Sequence, residues 1–159
     1  MSKDFEAQLS AIVSANAKAG EAGKAYVAEK AKIEEQFDSE WNHVRDSVVE
    51  PLFNRTVEAL KRGSIHASIN KPPVRRIVEG GRGETRVVPG TTGIELEIPA
   101  RNGRRDEFVL HFDPWGHDGR VVVKHHYNSE DLKLSEISKE YVEGRILTFL
   151  NKAVLNRKT

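Results

Sequence analysis

Ile94-Glu95-Leu96-Glu97-Ile98 and Phe108-Val109-Leu110-His111-Phe112 flank the turn-rich segment Pro99-Ala100-Arg101-Asn102-Gly103-Arg104-Arg105-Asp106-Glu107. In the first run large apolar and acidic residues alternate, and in the second Phe108, Leu110 and Phe112 alternate with Val109 and His111. Successive side chains of a strand point to opposite faces, so each run predicts a strand with one apolar face. Asn102-Gly103 invites a two-residue hairpin turn. That turn would pair Ile98 with Glu107 and Leu96 with Val109, sending Phe108 and Leu110 to the face that carries Glu95 and Glu97. Sheet register does not tolerate such a slip, because it moves an entire apolar set into water. A three-residue loop of Asn102, Gly103 and Arg104, with a bulge, instead pairs Ile98 with Phe108, Leu96 with Leu110 and Ile94 with Phe112. The segment therefore predicts an antiparallel pair with an apolar inner face and a polar outer face.

Working outward, Arg120 to Tyr127 predicts a further strand after the loop from Asp113 to Gly119, with Val121 and Val123 on the inner face. Upstream, Val74 to Val78 and Thr85 to Val88 flank Gly80-Gly81-Arg82-Gly83 and predict a hairpin with weaker alternation. Of the six prolines, all but Pro51 lie between Pro72 and Pro114, which marks this middle region as the place where the chain reverses repeatedly.

Both ends read as helix. Phe5, Leu9 and Ile12, and then Ile33, Phe37, Trp41, Val44, Val48 and Leu52, recur in steps of three and four. Gly20 and Gly23 interrupt an alanine-rich stretch, each costing about 1 kcal/mol relative to alanine inside a helix. A kink is expected there and at Pro51, with Gly63 as the stop. At the other end Ser129-Glu130-Asp131 has the composition of a helix start, predicting a helix from there to about Asn156 that covers the inner face of the sheet. The expected fold is α+β, with a helical arm over residues 1–62 followed, over residues 63–159, by an antiparallel meander of about four to five strands and a C-terminal helix on one sheet face.

The 159 residues include 25 Lys+Arg and 24 Asp+Glu, so the balance is near neutral and gives no strongly basic arm for nucleic acid. There is no cysteine, which excludes disulfides, thiolate metal sites and thiol catalysis. No apolar run of about 18 residues predicts a membrane span, and Asp4 and Glu6 replace the basic start of a signal peptide, so the expected setting is cytoplasmic.

If the C-terminal helix fills the inner face and the outer face shows Glu95, Glu97, His111 and Lys124, no apolar surface remains for the N-terminal stripe. Ile33, Phe37, Trp41, Val44 and Val48 are therefore expected to form an interface with a second copy, as a homodimer, or with another protein, the alternative being that they pack within the monomer on the sheet's edge or against the C-terminal helix. The 4-3-4 spacing from Phe37 to Val48 resembles a short coiled-coil seam. On this reading the chain is a non-catalytic assembly or adaptor protein.

Two other readings compete with it. Arg75, Arg76, Arg82, Arg104 and Arg105 would suit phosphates if the two hairpin tips met, giving a dimeric nucleic-acid-binding regulator. The same charges also keep exposed turns soluble. His111, His117 and Asp113 offer donors for a metal-dependent enzyme, but the spacing matches no ligand motif, and His125 and His126, as neighbours on a strand, point to opposite faces. No metal site and no cofactor are expected. Gly80-Gly81-Arg82-Gly83 lacks the Lys-Ser/Thr ending of a phosphate loop.

Overall fold

A computed structural model describes residues 3–79, 85–99, 108–114, 119–126 and 128–155, apart from the side chains of Val27 and of residues 76–79 and 85–89. The chain divides into two units, one of Met1–Gln36 with Arg76–Val88 and one of Phe37–Arg75 with Pro89–Thr159. It is α+β. Helix α1 spans Lys3–Val44, a π-helical turn spans Arg45–Val49, and α2 spans Glu50–Arg62. Among the described residues seven strands follow, β1 (Ser68–Asn70), β2 (Pro73–Glu79), β3 (Thr85–Thr92), β4 (Ile94–Glu97), β5 (Val109–Asp113), β6 (Arg120–His125) and β7 (Asn128–Lys133). The last helix, α3, spans Lys139–Leu150.

In the second unit the sheet runs β1-β4-β5-β6-β7, every neighbouring pair antiparallel. The central register is the one its alternation demands. Ile94 pairs with Phe112 and Leu96 with Leu110, and Ile98 donates its N–H to the Phe108 carbonyl at 2.9 Å. The expected loop at Asn102, Gly103 and Arg104 lies outside the described residues. Val121 and Val123 face the core as expected.

Three expectations are corrected. First, Ser129-Glu130-Asp131 does not start a helix but belongs to β7, where Val121 pairs with Leu132 and Val123 with Glu130. Helix α3 begins later, capped by Ser138, whose hydroxyl accepts the Tyr141 N–H at 3.1 Å. Second, the hairpin expected from Val74–Val78 and Thr85–Val88 forms as β2 and β3, but as a two-stranded sheet of its own rather than as part of the main sheet. The edge of β4 that they would have joined is taken by β1, with Ile69 opposite Leu96. Third, α1 continues through Gly20 and Gly23. The interruption falls just before Pro51, whose ring would clash with the carbonyl four residues back. The backbone widens there, and Glu50 donates its N–H to the Arg45 carbonyl, five residues earlier.

Helix α2 ends where Ile65 donates to the Leu60 carbonyl at 2.9 Å, beside Gly63. The left-handed residue is Ser64, with φ 61°, rather than the glycine.

One core serves the second unit. Ile94, Leu96, Leu110, Phe112, Val121 and Val123 from the sheet meet Leu52 and Phe53 of α2 and Val142, Ile146 and Phe149 of α3. Phe53 stands edge-on to Phe112, with ring centroids 5.8 Å apart. Five strands spaced about 4.8 Å apart make a face roughly 20 Å wide. Helices pack about 10 Å apart, so two fit side by side. The premise that α3 alone fills the inner face is thereby overturned.

Candidate functional site

The apolar stripe of α1 divides at Phe37. Phe37 and Trp41 are buried in the core of the second unit, and Val44 and Val48 are partly buried against it. Trp41 is wholly buried, and its indole Nε1 donates to the Thr92 carbonyl at 2.9 Å, which satisfies the one polar group it brings inside. The surface these four residues were expected to lend to a partner is taken up within one chain. Ile33, the fifth, is 60% exposed.

A hydrogen-bonded bracket surrounds Trp41. The Arg45 guanidinium reaches the Thr92 hydroxyl at 2.8 Å, the Thr92 carbonyl at 3.1 Å and the Thr91 hydroxyl at 3.2 Å. Thr91 donates in turn to the Asn42 side-chain oxygen. Arg45 also binds Asp46, and that hydrogen bond holds the Asp46 carboxyl below the ordinary carboxylate value. Beside the bracket, Gly93 donates to the Pro72 carbonyl at 2.9 Å, and a Cβ on Gly93 would lie 2.8 Å from the Phe112 carbonyl. These contacts fasten the end of α1 and the turn after it to the strand ends. They are structural contacts.

In the first unit several large apolar side chains of α1 are exposed. Leu9 is 50% exposed, Ile12 66%, Val13 62% and Tyr26 65%, and with Ile33 they run along the helix from its first turns to the unit's end. Phe5 is half exposed as well. In sequence these residues attract less notice than the Phe37 to Val48 stripe, because alanines and two glycines separate them. This is the largest run of exposed apolar side chains among the described residues.

Ionisable groups gather at α3. Tyr141 donates its hydroxyl to Glu130 Oε2 at 2.7 Å, Arg145 binds the other oxygen of Glu130, and the Arg145 guanidinium lies 5.3 Å from the Tyr141 ring centre. Burial, and then the bond to Glu130, raise the Tyr141 hydroxyl well above its ordinary value, so it stays protonated as a donor. The cluster ties α3 to β7. Close by, His125 sits on the inner face opposite Leu110, 2% exposed, with neither ring nitrogen hydrogen-bonded among the described residues. Burial and the nearby His126, Arg145 and Lys152 lower its pKa, while Glu130 acts in the other direction.

Of the donors weighed for a metal-dependent enzyme, only His111 and Asp113 are among the described residues. His111 Nδ1 lies 4.0 Å from Glu95 Oε2, and Asn70 donates to Glu97 at 2.7 Å in the neighbouring row of the outer face. Glu95 is buried there rather than wet. Asp113 closes β5, and His117 lies outside the described residues. Among the described residues no three His, Cys, Asp or Glu side chains are placed to hold a metal ion. Of the arginines, Arg75 is exposed on β2 and Arg76 follows it, while Arg82, Arg104 and Arg105 lie outside the described residues. A groove of about 400 Å³ between α2 and α3 is lined by Leu52, Ala59, Ile146 and Leu147, with Arg55 and Glu143 at its edge.

Among the described residues no helix is long and apolar enough to cross a membrane. No family model, no curated protein and no solved structure matches the chain.

Proposed function

We propose that the protein is a non-catalytic, cytoplasmic assembly protein that self-associates through the N-terminal part of α1. The observation that carries this reading is the exposure of Leu9, Ile12, Val13, Tyr26 and Ile33 on one helix. Taking a large apolar side chain out of water is worth roughly 1.5–3 kcal/mol, and several on one helix make a strong incentive to be covered. In proteins most helical stability comes from packing of an amphipathic face rather than from propensity, and Gly20 and Gly23 weaken the propensity of this helix. Docking against another helix would supply the packing that keeps it folded.

The test is sedimentation velocity across a dilution series of the full chain, with Ile12→Glu/Ile33→Glu as the comparison. The parent is expected to form a concentration-dependent oligomer. The variant is expected to stay monomeric with unchanged thermal unfolding of the second unit, since neither residue belongs to that core. A parent that is monomeric up to millimolar concentration rules the reading out.

A further inference from the structure

The exposed residues of α1 carry a period that identifies the kind of surface that would cover them. Leu9, Ile12, Tyr26 and Ile33 fall on a single 4-3 register that begins at Phe5, passes through Asn16, Ala19, Gly23 and Lys30 and reaches the buried Phe37. In heptad terms Leu9, Asn16, Gly23, Lys30 and Phe37 occupy the a positions, and Phe5, Ile12, Ala19, Tyr26 and Ile33 the d positions. Val13 stands beside the seam at e. A straight helix drifts away from a 3.5-residue repeat, so a seam kept in that register suits a left-handed supercoil with another helix of the same period. The register ends at Phe37, where the next apolar residue, Trp41, comes four positions on instead of three. From Phe37 onward the stripe is buried in, or packed against, the core of the second unit.

We infer that the partner is a second copy of this chain, and that the two α1 helices pair in parallel and in register from Leu9 to Ile33. This rests on the self-association reading and deepens it. Three features favour an identical partner, and two of them favour a parallel one. Asn16 at an a position needs a polar group across the seam, and in a parallel pair it meets the same amide of the other copy. Antiparallel pairing would place a d residue there, Ala19 or Tyr26 in the two central registers. Ala19 and Gly23 make a narrow waist, which an identical copy matches with its own Ala19 and Gly23 in either orientation. Charge also permits it. Residues 3–36 hold five lysines (Lys3, Lys18, Lys24, Lys30, Lys32) and six acids (Asp4, Glu6, Glu21, Glu29, Glu34, Glu35), a net of −1. Lys30, charged at an a position, lies level with Glu29 of the opposite helix in the parallel arrangement, so each copy supplies the counter-charge of the other.

The absence of cysteine makes the orientation directly testable in the full chain. Ile12→Cys at the seam and Ser10→Cys on the outer face are each oxidised with copper phenanthroline at a concentration where the parent is dimeric. Ile12→Cys is expected to form a disulfide-linked dimer at least tenfold faster than Ser10→Cys. Leu9→Cys provides the same comparison from an a position should Ile12→Cys weaken association. Asn16→Leu is expected to tighten association while adding species larger than the dimer. A parent dimer in which neither seam cysteine outpaces Ser10→Cys overturns the parallel register and leaves self-association standing. A monomeric parent removes both.

Discussion

Residues Lys3–Gln36 and Phe37–Val44 belong to one continuous helix, yet their apolar side chains meet opposite fates. Phe37 and Trp41 are enclosed, while Leu9, Ile12, Tyr26 and Ile33 remain half exposed or more. Both stretches repeat in threes and fours and draw on the same kinds of residue. Helical spacing decides which side chains share a face, but it does not supply the surface opposite. For Phe37 and Trp41 that surface is the core of the second unit, together with a carbonyl positioned for the indole N–H.

The comparison breaks most visibly at Trp41. Trp41→Ala is expected to cost about 3–5 kcal/mol in urea unfolding, whereas Ile12→Ala, measured where the chain is monomeric, should change stability by less than ~0.5 kcal/mol. Equal losses would mean that the two stretches are covered alike. Glycines sharpen the same contrast. Gly93→Ala drives a methyl against the Phe112 carbonyl and should cost roughly 1–3 kcal/mol, while Gly20→Ala enters open space and should instead increase helical ellipticity.

His125 gives the second unit a pH dependence. Its pKa is lowered on folding, so the unfolded chain binds the extra proton and stability is lost as pH falls through the ordinary imidazole value of about 6.5 and below. Urea midpoints between pH 7.5 and 5 should fall for the parent and fall less for His125→Leu. A slope unchanged by the substitution would assign the effect to another group. Smaller still, Ser138→Ala should cost about 1 kcal/mol by removing the acceptor at the first turn of α3, and Ser64→Gly should recover up to about 1 kcal/mol at the left-handed position after α2.

What could be read from the sequence differs between the centre of the sheet and its edges. The register of β4 on β5 was legible because both strands have an apolar face, and only one alignment keeps the two faces together. The edge strands β1 and β7 were not. Asn128–Lys133 has one large apolar residue, Leu132, and its charges suit an edge that must resist further pairing. With no period of two to betray it, Ser129-Glu130-Asp131 looks like a helix cap. The start of α3 at Ser138 became clear only once β6 had a partner on its far side.

The candidate surface divides in the same way. The stripe from Ile33 to Val48 was visible as a period, and its apolar character was read correctly. Its placement was misjudged, because a sheet credited with one covering helix has no room for the end of α1 and for α2, whereas five strands have room for both. Phe37 and Trp41 therefore belong to the core rather than to a seam, and the exposed apolar residues of α1 include Leu9, Ile12, Val13 and Tyr26, where alanine and glycine dilute the period.

The order of side chains by itself determined the α+β class, the central strand register and the amphipathic character of both terminal segments, since each follows from periods of 2 or 3.6 residues within one segment. Only the tertiary structure decided which apolar residues of α1 are covered, which polar strands close the sheet and where α3 begins. Those outcomes depend on the width of a face assembled from strands far apart in the chain, and no local period records that width.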